Sequence, residues 1–566
     1  MLATAYYVPG ADQGARKVLG TGRVTAKAKA QAVPAPRKAV AAPSIVATRD
    51  ITGPAFDTCA TPSQDTMNAW GAPNTPFHAI GLYISGGLRA CQQFNLTPAW
   101  VTEQDAHGWQ FLLIDAGKQA PCSNLASKMS SVPATALAEG RAAAAAAVVA
   151  AQDLGFAQRS PIYSDIEHYT STPACKAAVL SYLSGWTQEL NTRGYVGGAY
   201  VSASSGGVDL SSAYTSTAYT RPDNLWFAHW GNKPDLTSRF IPATYWASHQ
   251  RVHQTANVSA TYNGVTLKID ENVMDLTAPP AAVTGFGATG RNGSAVLSWT
   301  LPASTAISQV VVRRNNGGVA PALPTAGTAV YAGPSASAVT ATGLVNGTSY
   351  TFRTWVKDKF GKYSPGTSKF LAGTSTTAAA SASSIMYTGS VTLSSQVKQA
   401  NTGAALAGVP VTLYSKAINA SKWTTVATVM SSATGAVSSV QKPGVSTAYM
   451  WAYNGSADLL GSGSAAVTVA VRPAMSGYLT PAAIKLGAST LLYGYLNPPH
   501  AGSTAYLQQK SGTKWIAVTT GKVTANGKFA FSIKPAARGT YTYRVVWLAD
   551  ADHQGTQTPS KVLTVS

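Results

Sequence analysis

Ser160-Pro161-Ile162-Tyr163-Ser164-Asp165-Ile166-Glu167-His168-Tyr169 reads as a short buried strand that ends in two carboxylates. Side chains alternate across a strand, so Asp165 and Glu167 point to the same side. At about 3.3 Å of rise per residue their Cα atoms lie about 6.5–7 Å apart. Acids near that spacing can share the work of cutting a glycosidic bond. One protonates the leaving oxygen, and the other stabilises charge or positions water. Like charges that close also raise one pKa, which keeps a proton available near neutral pH. The plainer reading is a solvated strand end leading into a helix N-terminus, where acids are common.

Outward from that stretch, residues 51–278 alternate strand and helix patterns. Apolar strand candidates are 54–57, 79–84, 109–115, 161–167, 195–201, 225–230, 249–254 and 266–270, with the clearest helical stretches at 135–158 and 173–192. Eight strands with intervening helices predict a (β/α)8 TIM-type barrel, its outer ring incomplete where the later helices are short. The site of such a barrel lies at the C-terminal ends of its strands. Asp57, Asp115, Asp165 with Glu167, and Asp270 fall at those ends and are expected to converge on one mouth. Tyr83, Tyr200, Trp226 and Trp230 lie nearby and are candidates to offer flat faces to pyranose rings. For any one aromatic, core or rim packing is the plainer reading.

A chain of 566 residues exceeds a single core. Residues 1–50 carry a charge of +6 and almost no large apolar side chains, and are expected to be a flexible basic leader. Residues 51–278 carry −4 and residues 279–566 carry +18, so a mildly acidic module precedes a strongly basic tail. Such a tail should be drawn to polyanions. No nucleic-acid motif accompanies it, which leaves a cell-wall glycan or anionic polysaccharide as the expected partner of a monomeric protein. No apolar run reaches the about 18 residues of a membrane span, so no transmembrane segment is expected. Cys59, Cys91, Cys122 and Cys175 all lie in the acidic module and form neither a CxxC nor a zinc spacing. Two disulfides and a secreted, extracellular location, possibly on the cell wall, are expected. Of three possible pairings, Cys59–Cys91 with Cys122–Cys175 is favoured because each would tie neighbouring strand ends. Residues 1–31 lack the apolar stretch of a conventional export signal. Neither a metal nor an organic cofactor is expected.

Past Pro280 clear helical patterns end, and β-branched residues alternate with polar ones. Residues 279–375 contain Ala295-Val296-Leu297-Ser298-Trp299 and the run Leu344-Val345-Asn346-Gly347-Thr348-Ser349-Tyr350-Thr351-Phe352. They resemble a fibronectin type III β-sandwich. A Thr/Ala/Ser linker is expected at about 374–383. Residues 384–471 and 472–566 then repeat each other: Trp423 and Trp515, Gly435 and Gly527, Lys442 and Lys534, and Tyr449 and Tyr541 all stand at the same offset. Both resemble bacterial immunoglobulin-like sandwiches, and none of the three shows a catalytic cluster.

Within 51–278, three stretches carry a further resemblance: Gly53-Pro54-Ala55-Phe56-Asp57-Thr58-Cys59-Ala60-Thr61-Pro62-Ser63 with Met67 and Trp70, Ile80-Gly81-Leu82-Tyr83-Ile84-Ser85-Gly86, and Ile162-Tyr163-Ser164-Asp165-Ile166-Glu167. They are similar to the glycoside-hydrolase-like barrels known as DUF1906, which in turn look like relatives of the family 25 muramidases. The resemblance implies Glu167 as general acid, Asp165 as its orienting or stabilising partner, and Asp57 and Asp270 completing an acidic mouth. It also implies Asn272 as support at the last strand, and hydrolysis of a β-1,4 bond in peptidoglycan or a related glycan. The alternative is a non-catalytic protein that binds glycan or cell wall.

Overall fold

The computed structural model describes residues 42–71, 73–231, 233–303 and 306–566. The expected leader therefore lies outside the described residues up to position 41. Its last part is not a free tail: Ala47 is fully buried, its carbonyl accepts Phe111 N at 2.7 Å, and Ile45 O accepts Ala157 N at 2.7 Å.

Eight strands close a barrel in chain order: β1 Ile51–Asp57, β2 Ala79–Ser85, β3 Gln110–Asp115, β4 Pro161–Ile166, β5 Val196–Ser202, β6 Asn224–Ala228, β7 Gln250–Tyr262 and β8 Val265–Leu276. Strands β1 to β7 run parallel, whereas β8 runs antiparallel to both β7 and β1. The reversal is made by Asn263-Gly264, both at positive φ, which turn β7 directly into β8. The helices are α1 Gln64–Trp70, α2 Pro98–Ala106, α3 Pro133–Asp153, α4 Pro173–Thr192 and, after a π-turn, the short α5 Val208–Ser212. A complete (β/α)8 barrel is thus not formed: among the described residues the last two connections carry no helix, and the last strand is reversed.

The connection from β6 to β7 is held by side chains in place of a helix. Buried Arg251 donates to the carbonyls of Leu236, Pro242 and Tyr245, at 2.5–2.9 Å. His253 sets its two ring nitrogens against the carbonyls of Asp235 and His229. Helix α3 is long and apolar enough to cross a membrane by length and composition. Here it packs against α4 through glycines: a Cβ on Gly140 would lie 2.0 Å from Tyr182 O, and one on Gly185 would lie 2.0 Å from Leu137 O. No larger residue fits where the two backbones approach this closely.

Two disulfides, Cys59–Cys91 and Cys122–Cys175, tie the loops at the carboxyl ends of the strands. Past the barrel, every element among the described residues is a β-strand. Residues 284–371 form a three-stranded and a four-stranded sheet around buried Leu297, Trp299, Val310, Phe352 and Val356. The stretch expected as a linker is paired instead, since Thr374–Thr376 and Ala379–Ala380 both lie on Val391–Gln399. The last two segments have the same strand order, including one parallel edge strand each, Ser384–Met386 and Ala483–Ile484. The residues that match in sequence, such as Tyr449 and Tyr541, occupy corresponding strands.

Candidate active site

The register of the barrel brings the acids to one end. Asp57 closes β1 opposite Asp270 of β8, and its other neighbour is Gly81 of β2. Asp115 closes β3 opposite Ser164, and Asp165 stands beside Tyr200 of β5. Glu167 follows β4 directly and is open to solvent at the mouth. Glycine is required at position 81 by space, since a Cβ there would sit 2.5 Å from the Cβ of Asp57.

Polar side chains hold this set. Asn272 Nδ2 and Gln254 Nε2 donate to Asp57 Oδ2 at 2.8 and 3.2 Å. Gln254 Oε1 in turn accepts Tyr200 Oη at 2.9 Å and Trp230 Nε1 at 3.1 Å. Asn257 Nδ2 donates to Asp270 Oδ1 at 2.5 Å. Gln119 fixes the end of β4 through its amide: Nε2 donates to Asp165 O at 2.7 Å, and Oε1 accepts Glu167 N at 2.9 Å. Gln119, Gln254 and Asn257 carry no signal in the sequence that marks them as part of the site.

Burial raises every acid of the cluster, and neighbouring negative charge adds to the rise at Asp57, Asp165 and Glu167. Asp57 is pushed up to about 7, first by burial and then by the charge of Asp270, against the two hydrogen bonds that pull it down. Asp165, 7% exposed, is held well above the carboxylate range by burial, then by Glu167, Asp57 and Asp115. Glu167 is raised by the protein around it and then by Asp270. Burial also raises Asp270, but Asn257 and Lys268 oppose the rise. The hydroxyl of Tyr83 is raised by burial, then by the same four acids, which locates it among them. Burial followed by Glu167 does the same to Tyr200.

The expected ring platforms separate into two groups. Trp230 is 55% exposed and lines a groove of about 290 Å³ with Glu167, His168, Tyr200 and Ser202. Trp226 is only 1% exposed; it lies inside the barrel, edge-on to Tyr163 and Tyr200, and donates Nε1 to Asn272 Oδ1 at 2.8 Å. It buttresses Asn272 and has no free face. Asp115 is likewise buried, held by Ser85 Oγ at 2.6 Å beneath the mouth. A larger cavity of about 510 Å³ opens at the other end of the barrel, near Asn191, Asp223 and Lys362, away from the acids.

None of the curated proteins matches this chain. Among solved structures it is similar to the Clostridium perfringens spore cortex lytic enzyme SleM, at 16% identity and a TM-score of 0.35, covering 56% of this chain and 98% of that one. It is also similar to a tetra-tandem repeat in the extending region of a large adhesion protein, at 17% identity and a TM-score of 0.24, covering 54% and 80%. A third likeness is to the D0-D1 domain of intimin, at 12% identity and a TM-score of 0.14, covering 34% and 97%. Likenesses this slight decide nothing about chemistry. Residues 68–274, from within α1 to near the end of β8, match the family described as Rv2525c-like, glycoside hydrolase-like domain.

Proposed function

We propose that the barrel hydrolyses glycosidic bonds, with a β-1,4 bond of peptidoglycan or a related envelope glycan as substrate. The observation that carries this reading is the cluster of Asp57, Asp165, Glu167 and Asp270 at one mouth, in which the first three are each raised by burial and by the charge of at least one other member. A glycosidase needs one carboxyl that keeps its proton and one that gives it up. Glu167 suits the first role, being open to solvent beside the groove and raised in pKa. It would protonate the leaving oxygen. Asp270 suits the anion, because Asn257 and Lys268 favour its charged form. Asp165, buried beside Glu167, would support the oxocarbenium-like centre, and Asp57 would hold a proton at the floor. Tyr83 and Tyr200 would bound the reacting sugar, with Trp230 stacking on a ring at the rim.

The basic tail, +18 over residues 279–566, would hold the barrel near an anionic wall. Two disulfides support an extracellular setting. The test is release of reducing ends from purified peptidoglycan by the whole chain and by Glu167→Gln. The amide keeps the shape and cannot donate the proton. Release that vanishes in the variant while the chain still co-sediments with wall is the expected result. Equal release by both ends the assignment of Glu167. No release by either, with co-sedimentation kept, points to a glycan-binding module.

A further inference from the structure

The two terminal sandwiches meet through a loop that carries imidazoles and carboxylates. In the last sandwich, Asp550-Ala551-Asp552-His553 follows the strand Gly539–Trp547. The loop lies on the preceding sandwich: Ser446 N donates to Asp552 O at 2.7 Å, and Gln554 N donates to Val471 O at 2.8 Å. His500, from a neighbouring loop, packs its ring on Trp547 at 4.4 Å between centroids and sets Nδ1 3.0 Å from Asp550 Oδ2. One ligand atom each from His500, Asp550 and His553 lies within 4.8 Å of the others.

The surroundings of His553 point to a ligand. The residue is 6% exposed. Its Nε2 faces Gly444 O of the preceding sandwich at 2.9 Å, and its Nδ1 faces Asp552 Oδ1 at 2.7 Å with Asp550 Oδ1 at 3.9 Å. A neutral imidazole has one N–H, so it cannot donate to both sides. With the proton on Nε2, held by the carbonyl, the Nδ1 lone pair points at two carboxylates. A cation between them would turn that repulsion into coordination. Metal-bound histidines characteristically donate the far ring N–H to a carbonyl or carboxylate, which fixes the ring. His500 Nε2 is buried without a hydrogen-bond partner, so the second imidazole is not committed elsewhere through that atom. Asp550, 37% exposed, leaves a path for an ion to enter.

We propose that His500, Asp550 and His553 bind a divalent transition metal of the Zn2+ class, with Asp552 as an adjacent carboxylate, and that the ion fixes the loop by which the last sandwich rests on the one before it. Two imidazoles with a carboxylate suit zinc and its neighbours better than calcium or magnesium, which prefer all-oxygen sets. The equivalent loop of the preceding repeat makes a plain ion pair, Asp458 with Lys369, and glycines stand at 408 and 461, where the second repeat has His500 and His553. The two junctions therefore share a loop but differ in chemistry. Sequence spacing hides the site, because the two histidines stand 53 positions apart and only the strands bring them together.

The test is Zn2+ titration by calorimetry on the untagged, metal-stripped whole chain, with Co2+ absorption as a second probe. Saturable binding of a single ion per chain is expected, with Co2+ bands of a nitrogen- and oxygen-ligated ion. Asp550→Asn and His553→Gln should each weaken Zn2+ binding by about tenfold or more, with melting in EDTA unchanged for Asp550→Asn. No saturable binding by the parent chain overturns the proposal. So does binding that Asp550→Asn leaves unaltered.

Discussion

Asn272 holds Asp57 by a 2.8 Å hydrogen bond at the floor of the acidic mouth, while its own carbonyl accepts the indole N–H of Trp226 at 2.8 Å. One amide thus satisfies a buried carboxylate and a buried indole together. Asn272→Ala would leave both short of a partner. The expected cost is about 1–3 kcal/mol, the usual penalty for stranding a buried polar group. The hydrogen bond also pulls the Asp57 pKa down, so the variant should hold the Asp57 proton to higher pH. Urea unfolding of the barrel, followed through its buried tryptophans, measures the first effect. A midpoint equal to that of the parent would show that Asn272 is not a structural link.

Asp57 gives the barrel a pH dependence of definite sign. Its carboxyl lies at about 7 in the fold, against an ordinary 3.8, with burial the first cause and Asp270 the second. Below 3.8 it is protonated in both states and costs nothing. Between 3.8 and about 7 the unfolded chain gives up the proton while the folded chain keeps it, so stability falls as pH rises. Above that window the whole penalty is present. Asp57→Asn removes it, since an amide oxygen can still accept from Asn272 and Gln254. The stability gained by the variant should therefore grow across the window, by at most about 1.4 kcal/mol per pH unit, and then level off. The other acids of the cluster titrate together with Asp57, which broadens the rise without changing its sign. A difference that is constant with pH would contradict the buried-acid account.

The Cys122–Cys175 disulfide is expected to act on the site through Gln119. It pins the loop after β3 to the first turn of α4, and that loop carries the amide spanning Asp165 O and Glu167 N. Closing a span of 53 residues is worth about 4 kcal/mol in the chain-entropy account. Cys122→Ser with Cys175→Ser should lower barrel stability by that order. Gln119→Ala, with both disulfides intact, should lower hydrolysis with a much smaller loss of stability, because Glu167 loses its backbone anchor. Turnover and denaturation measured on both variants separate the two effects. Full turnover by Gln119→Ala would show that Glu167 needs no such anchor.

The strands of the barrel are legible because candidate runs of four to seven residues recur between turn signals, and each of the eight strands overlaps one of them. The last connection was not read correctly, although Asn263-Gly264 carries the strongest short hairpin signal available. Trp226 shows why inward and outward positions are hard to assign from sequence. On β6, Leu225 and Phe227 join the core between strands and helices, whereas Trp226 between them joins the barrel interior with Tyr163. Nothing in an all-apolar strand marks which alternate set faces in. Gln119 and Gln254 were invisible for another reason: an amide becomes a bridge only when the fold supplies the groups on either side. The acids could be listed by strand end, but the groups that oppose the rise at Asp270, Asn257 and Lys268, sit on the extended hairpin.

Gly81 is the residue of β2 on which the position of Asp57 depends. A methyl group there would lie 2.5 Å from Asp57 Cβ, 3.2 Å from Ile114 Cδ1 and 3.3 Å from Trp226 Cη2. None of these can move freely: Asp57 and Ile114 are in paired strands, and Trp226 is held by Asn272. Overpacking of this kind costs about 1–3 kcal/mol. Asp57 must shift to relieve it, carrying its hydrogen bonds to Asn272 and Gln254 out of register. Gly81→Ala should therefore lose both stability and hydrolysis. Gly87, just beyond the same strand, has open space where its Cβ would be and serves as the control. Gly87→Ala should be neutral or slightly stabilising, because it only reduces the freedom of the unfolded chain. If the two variants melted alike, the close contact between β2 and Asp57 would not be what positions the acid.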